Sequence, residues 1–149
     1  MRSPLRRLLA DVRFRCERWR LGQSAPTGRL GEAVAARHLR REGYRVLVRN
    51  WRGRTGELDL IAERRGLLVI VEVKTRGGGV DPQAAAAGSV GPEKQRRIAR
   101  AASEWLASNR YAVRRCRQGW SVRLDVIAVV VTGDGWSVEH IAGAFESPR

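Results

Sequence analysis

A mixed α/β domain built on a central sheet is the fold class this sequence predicts, and three observations carry it. Apolar runs at residues 44–51, 56–62 and 67–74 have the length and β-branched content of strands. Two stretches with helical apolar spacing, opening near Thr27 and at Pro92, flank that block. Further strand-like runs follow at residues 122–131 and 136–141. The resulting order is helix, three strands, helix, two strands. A chain of 149 residues suits one domain with a sizeable core.

Residues 1–27 form a basic extension in which Leu5, Leu8, Leu9, Val12, Cys16 and Trp19 share a helical stripe, with Arg6, Arg7, Arg13 and Arg20 elsewhere. Residues 22–28, with Ser24 and Pro26, read as a linker. The extension is expected to dock on the domain or stay partly disordered; tethering to a membrane surface or gripping nucleic acid are the alternatives. The domain proper is placed at residues 28–147. Leu30, Val34, Ala35 and Leu39 give its first helix an apolar face, and Gly43 ends that helix. The second and third strands are joined by a hairpin loop at residues 63–66. Residues 76–91, rich in Gly and Ala, read as a long loop. Pro92 suits the first position of a helix running to about Asn109, with Ile98, Ala102, Trp105 and Leu106 buried. Gly133, Asp134 and Gly135 form the turn between the last two strands. There is no internal repeat.

Charge narrows the partners. Lys and Arg number 29 against 15 Asp and Glu, a formal charge of +14, and nearly all of the excess is arginine. The guanidinium is the planar donor suited to phosphate, so a polyanion is expected, nucleic acid ahead of an anionic membrane. Cys16 and Cys116 form no CxxC pair, and with only two histidines the chain lacks any familiar zinc spacing. No apolar run approaches the ~20 residues that span a bilayer, and charges interrupt Leu8-Leu9-Ala10 where a signal core would lie. A cytoplasmic protein is expected.

The residues that carry chemistry interrupt the apolar strands. Alternation places Glu57, Asp59 and Ile61 on one face of the second strand, and Ile70, Glu72 and Lys74 on one face of the third. Carboxylates inside apolar strands are costly unless paired or bound to a cation, which points to a divalent-metal site. Lys74 could orient an attacking water or stabilise a phosphorane; the structural alternative is an acid–lysine pair that ties the sheet. Glu57 sits at the strand entrance, where solvent or an arginine could satisfy it; a supporting or alternative ligand is the other reading. Asp125 lies in another apolar strand with Arg123 on the same face, and a structural ion pair is expected there. His38 and His140 have no local partners and read as surface or packing residues. Arg49, Arg52, Arg54, Arg76, Lys94, Arg97 and Arg100 flank the acids in sequence as phosphate contacts, with Gln95 near the scissile group. Trp51 and Trp105 fit core packing.

Asp59, followed at a distance by Glu72-Val73-Lys74, resembles the bipartite PD-(D/E)xK nuclease signature, although Thr-Gly-Glu-Leu precedes the aspartate where the name expects proline. The wider string resembles the YraN-type, endonuclease-like bacterial proteins. It comprises Gly31-Glu32, Asn50-Trp51-Arg52, Gly56-Glu57-Leu58-Asp59-Leu60-Ile61, Glu72-Val73-Lys74-Thr75-Arg76, Lys94-Gln95-Arg96-Arg97-Ile98, Arg123-Leu124-Asp125-Val126 and His140-Ile141-Ala142-Gly143-Ala144-Phe145. It runs from about Gly28 to Phe145. The arginine-rich extension departs from the family pattern, as does Gly143, where asparagine is common. The resemblance implies a restriction-endonuclease-like α/β core similar to archaeal Holliday-junction resolvases. It also implies a nuclease acting on DNA, with branched or flap structures as candidate substrates. Asp59, Glu72 and Glu32 would hold Mg2+ or Mn2+, and Lys74 would assist water. A two-fold dimer would suit junction cleavage, but the chain carries no coiled-coil seam. The alternative is a nucleic-acid-binding adaptor that kept the fold without turnover.

Overall fold

The computed structural model describes residues 27–77, 90–132 and 135–145. The expectations for the amino-terminal extension, most of the long loop and the Gly133-Asp134 turn lie outside these residues. The elements are α1 (Thr27–Arg41), β1 (Arg45–Arg52), β2 (Glu57–Arg64), β3 (Leu67–Arg76), α2 (Pro92–Ser108), α3 (Arg110–Arg117), β4 (Ser121–Thr132) and β5 (Gly135–Phe145). They form one five-stranded sheet in the order β1-β2-β3-β4-β5. All neighbours are antiparallel except β3 and β4, which run parallel. A parallel pair needs a crossover connection, and α2 and α3 lie within it.

Local sequence explains the ends of these elements. Gly43 has φ +83, and the amides of Gly43 and Tyr44 return to the carbonyls of Arg40 and Leu39, closing α1 with a left-handed glycine cap. The β2–β3 connection is tighter than the expected loop. Arg64 already pairs with Leu67, so only Arg65 and Gly66 turn, both at positive φ (47 and 79). The helix expected to run to Asn109 is two helices. Asn109 is extended, and its side chain accepts a hydrogen bond from the amide of Ala112 at 3.1 Å, starting α3. Apolar spacing continues across the break, so periodicity alone did not reveal it.

Alternation sorts the core into two layers. Leu60, Ala62, Val69, Val71, Ile127 and Val129 pack under Ala35, Ala36 and Leu39 of α1. Ile61, Leu68, Ile70 and Leu124 pack against Ile98, Ala101, Ala102 and Trp105 of α2. Trp105 is buried there and Trp51 packs against the same cluster, as expected. The central strand β3 is therefore covered on both sides, and a carboxylate in its middle is shielded from water.

Candidate functional site

The acids meet where β2 and β3 part. The ladder between these strands ends at Leu60 opposite Val71. Beyond it, the amide of Val73 donates not to a backbone carbonyl but to Oδ2 of Asp59 at 2.7 Å. Asp59 and Glu72 share a side-chain hydrogen bond, so the two carboxyls converge as alternation requires. Burial and the neighbouring charge of Glu72 push the Asp59 carboxyl up to about 7, against the pull of the Val73 amide. Two acids in contact cannot both ionise cheaply.

Glu72 is only 8% exposed, and the Lys94 ammonium of α2 hydrogen-bonds its Oε1. Lys74, two residues along the same face, has its amine pulled below the ordinary lysine range, first by burial and then by the positive charge of Lys94. The negative charges of Glu72 and Asp59 oppose that shift. Glu32 reaches the cluster from α1, where its charge adds to the upward push on Asp59. A close approach puts it there. A Cβ on Gly31 would stand 1.8 Å from Oγ1 of Thr75, so only glycine lets α1 lie this close to the end of β3.

This set has hard oxygen donors from two strands and one helix, the ligand type that Mg2+ or Mn2+ prefers. The raised Asp59 carboxyl marks a place where added positive charge would be welcome, and in that respect the residues fit such an ion. Among the described residues, no group of three His, Cys, Asp or Glu stands ready-made at metal-binding spacing. As the side chains lie, Lys94 supplies the counter-charge.

The flanking residues divide. Lys94 joins the acids directly. Arg49, Arg76, Arg97 and Arg100 are exposed, on β1, β3 and α2. Arg52 pairs with Glu57 at 3.6 Å, both well exposed, so at the strand mouth Glu57 has the arginine and the solvent that its position allows. Arg54 approaches Glu104 at 3.7 Å, and Glu104 also takes the amides of Arg54 and Thr55 and the Thr55 hydroxyl. These bonds hold the Glu104 carboxyl down at about 2 and pin the loop that leads into β2. Gln95 turns its amide to the carbonyl of Val90 at 2.8 Å, bracing the start of its own helix. Sequence reasoning missed Glu104 and the Lys94–Glu72 pair, because both link segments far apart in the chain.

Asp125 is fully buried and accepts from Arg123 at 2.7 and 2.8 Å, as the shared parity of the two residues predicts. It also takes the amide of Gly143 at 2.9 Å and contacts His140 Nε2 at 2.8 Å. His140 thus has an acid partner that its sequence neighbourhood did not reveal. The ring of His38 stands edge-on to it at 5.4 Å.

The family model described as "Uncharacterised protein family UPF0102" matches residues 31–129, well over half of the chain. The chain belongs to this family. A UPF0102 protein of Syntrophotalea carbinolica is 45% identical over 126 residues, covering 83% of this chain and 94% of the relative. One from Mycolicibacterium smegmatis is 46% identical over 123 residues, covering 80% and 92%. One from Syntrophus aciditrophicus is 38% identical over 128 residues, covering 86% and 94%. UPF0102 is the YraN-type family that the ordered motifs resemble. The departure at Gly143 also has a physical reading. Its φ is +62, a conformation that glycine adopts freely and asparagine tolerates better than other residues, so either serves there. Among the described residues, no helix is long and apolar enough to cross a membrane.

Proposed function

We propose that this UPF0102 protein is a divalent-metal-dependent nuclease that hydrolyses phosphodiester bonds in DNA, acting within the strand on branched or flap structures. The observation that carries this reading is the meeting of Asp59 and Glu72 at the parted strands, with Lys74 alongside. Asp59, Glu72 and Glu32 would hold Mg2+ or Mn2+. When bound, that ion supplies positive charge to the phosphate oxygens and activates water. Lys74 contributes a donor whose proton is loosened by burial, suited to orienting the attacking water or stabilising the phosphorane. The Val73 amide holds the Asp59 carboxyl in its orientation. Exposed arginines, with Arg49, Arg76, Arg97 and Arg100 foremost, would position the phosphate backbone. A chain of +14 would be drawn to it over a long range.

The test is purified full chain with duplex, junction, flap and single-stranded DNA, each with Mg2+, Mn2+ or chelator. Products should form only with metal, and Asp59→Ala or Lys74→Ala should lower the rate at least about 100-fold. Cleavage that survives either substitution overturns the assignment.

One observation favours a second reading. Lys94 already answers the charge of Glu72, so the fold stands without an ion. A nucleic-acid-binding adaptor without turnover would show salt-sensitive binding and no metal-dependent product on any of the four substrates.

A further inference from the structure

The end of the sheet away from the acids carries a second basic surface that the nuclease reading does not use. It surrounds a cavity of about 400 Å3 lined by Gly43, Glu42, Arg45, Glu63, Arg64, Arg65 and Trp120. Along β2, Arg65 lies about 20 Å from Asp59, at ~3.4 Å per residue. Helix α3 borders this end, because the amide of Ser121 bonds the carbonyl of Gly66 at 3.0 Å just after α3 closes.

The two acids of the cavity differ. Glu63 is 7% exposed and fully committed: Arg45 holds one oxygen and the Tyr111 hydroxyl donates to the other at 2.6 Å. It therefore offers an incoming anion little repulsion. Glu42 is exposed and, of the two acids that line the cavity, is the one whose charge no basic side chain holds in an ion pair among the described residues. Arg115 is clamped between aromatic rings, 4.5 Å from Trp120 and 4.7 Å from Tyr111, and its buried Nε has no acceptor among the described residues. Arg65 lines the cavity and Arg114 and Arg117 stand on α3; all three are exposed, with no ion-pair partner among the described residues. Helix α3 holds Arg110, Arg114, Arg115 and Arg117 and no acid. Like charges at i,i+3 and i,i+4 cost a few tenths of a kcal/mol per pair. The helix dipole offsets part of that at the carboxyl end. An external anion would offset the rest.

We propose that this end is a second nucleic-acid contact, with Arg65, Arg114 and Arg117 holding the phosphates of a single strand while a base enters the cavity against Trp120. Trp120, whose ring carries the Arg115 guanidinium and packs on the core, lines a recess of ligand size, and an aromatic wall of that kind is what a base recognises. A flat anionic membrane would leave that recess empty, which is why a strand is favoured. The surface is independent of the acid cluster and of any metal.

The test uses the full chain in chelator, so that cleavage plays no part. Binding of a labelled single-stranded oligonucleotide is followed by anisotropy across a salt series for wild type and for the Arg65→Asn, Arg114→Ser, Arg117→Ser variant. Asparagine is chosen because residue 65 has φ +47. The variant should keep the wild-type melting temperature and bind at least about tenfold more weakly. The slope of log K against log salt should fall by about 2, at ~0.7 per lost single-strand phosphate contact. The same strand carrying abasic sites should bind wild type several-fold more weakly. A loss of twofold or less with an unchanged slope overturns the proposal. So does equal binding of the abasic strand, or a loss confined to phosphatidylserine vesicles.

Discussion

The ammonium of Lys94, in the first turn of α2, hydrogen-bonds Oε1 of Glu72 in the middle of β3. The lysine is 47% exposed and the glutamate 8%, so solvent reaches one end of the pair only. This contact ties the start of α2 to the acid cluster and sets Lys94 in competition with any cation for the same oxygen. Lys94→Met should therefore lower the stability of metal-free protein by about 1–2 kcal/mol, less than a fully buried pair would lose. It should also tighten Mn2+ binding several-fold, read as a larger thermal shift per unit of added Mn2+. Unchanged Mn2+ affinity would argue that Glu72 is not a ligand.

Burial and Glu72 raise the Asp59 carboxyl to about 7, so ionising it above that pH is a cost the fold bears when no ion is bound. Asp59→Asn keeps the shape and the bond from Val73 while removing the charge. In chelator at pH 8 the variant should be more stable than wild type by about 1–3 kcal/mol in urea titrations, even as cleavage falls at least about 100-fold. A destabilised variant would show that the carboxylate is already satisfied.

Gly31 and Thr75 leave no room for a methyl group, since a Cβ would overlap the threonine hydroxyl at 1.8 Å. Gly31→Ala should cost about 1–3 kcal/mol through overpacking and swing Glu32 away from Asp59. Adding Thr75→Ala should restore much of the stability, because the two changes share one contact. Additive losses in the double variant would contradict the close approach.

Asp125 has its carboxyl pulled below the ordinary range: the bonds from His140, Arg123 and the Gly143 amide outweigh the opposing effect of burial, the largest single influence. A depressed folded value means the stabilisation is complete above about pH 5 and is lost as pH falls through that lowered value, below about 4. Asp125→Asn should cost about 2–4 kcal/mol at pH 7 and flatten the acid limb of the stability profile. An acid limb identical to wild type would place the pH sensitivity elsewhere, with Glu63 the next carboxylate to examine.

What the chain determined by itself was periodic or local. The two-residue repeat of β2 and β3 put Asp59, Glu72 and Lys74 on one side, and the same parity paired Arg123 with Asp125. Gly43 and Pro92 marked a helix end and a helix start for reasons confined to their own backbones. Only the tertiary structure decided which distant groups answer those charges. Lys94 on Glu72, Glu104 on the Arg54-Thr55 amides and His140 on Asp125 are each set by how helices and strands stack, and no spacing in the sequence encodes that. The same holds for the bond from Gln95 to the Val90 carbonyl, which depends on how the start of α2 meets the preceding loop. An electrostatic contact depends on distance in space, whereas a periodic pattern records only direction along one element.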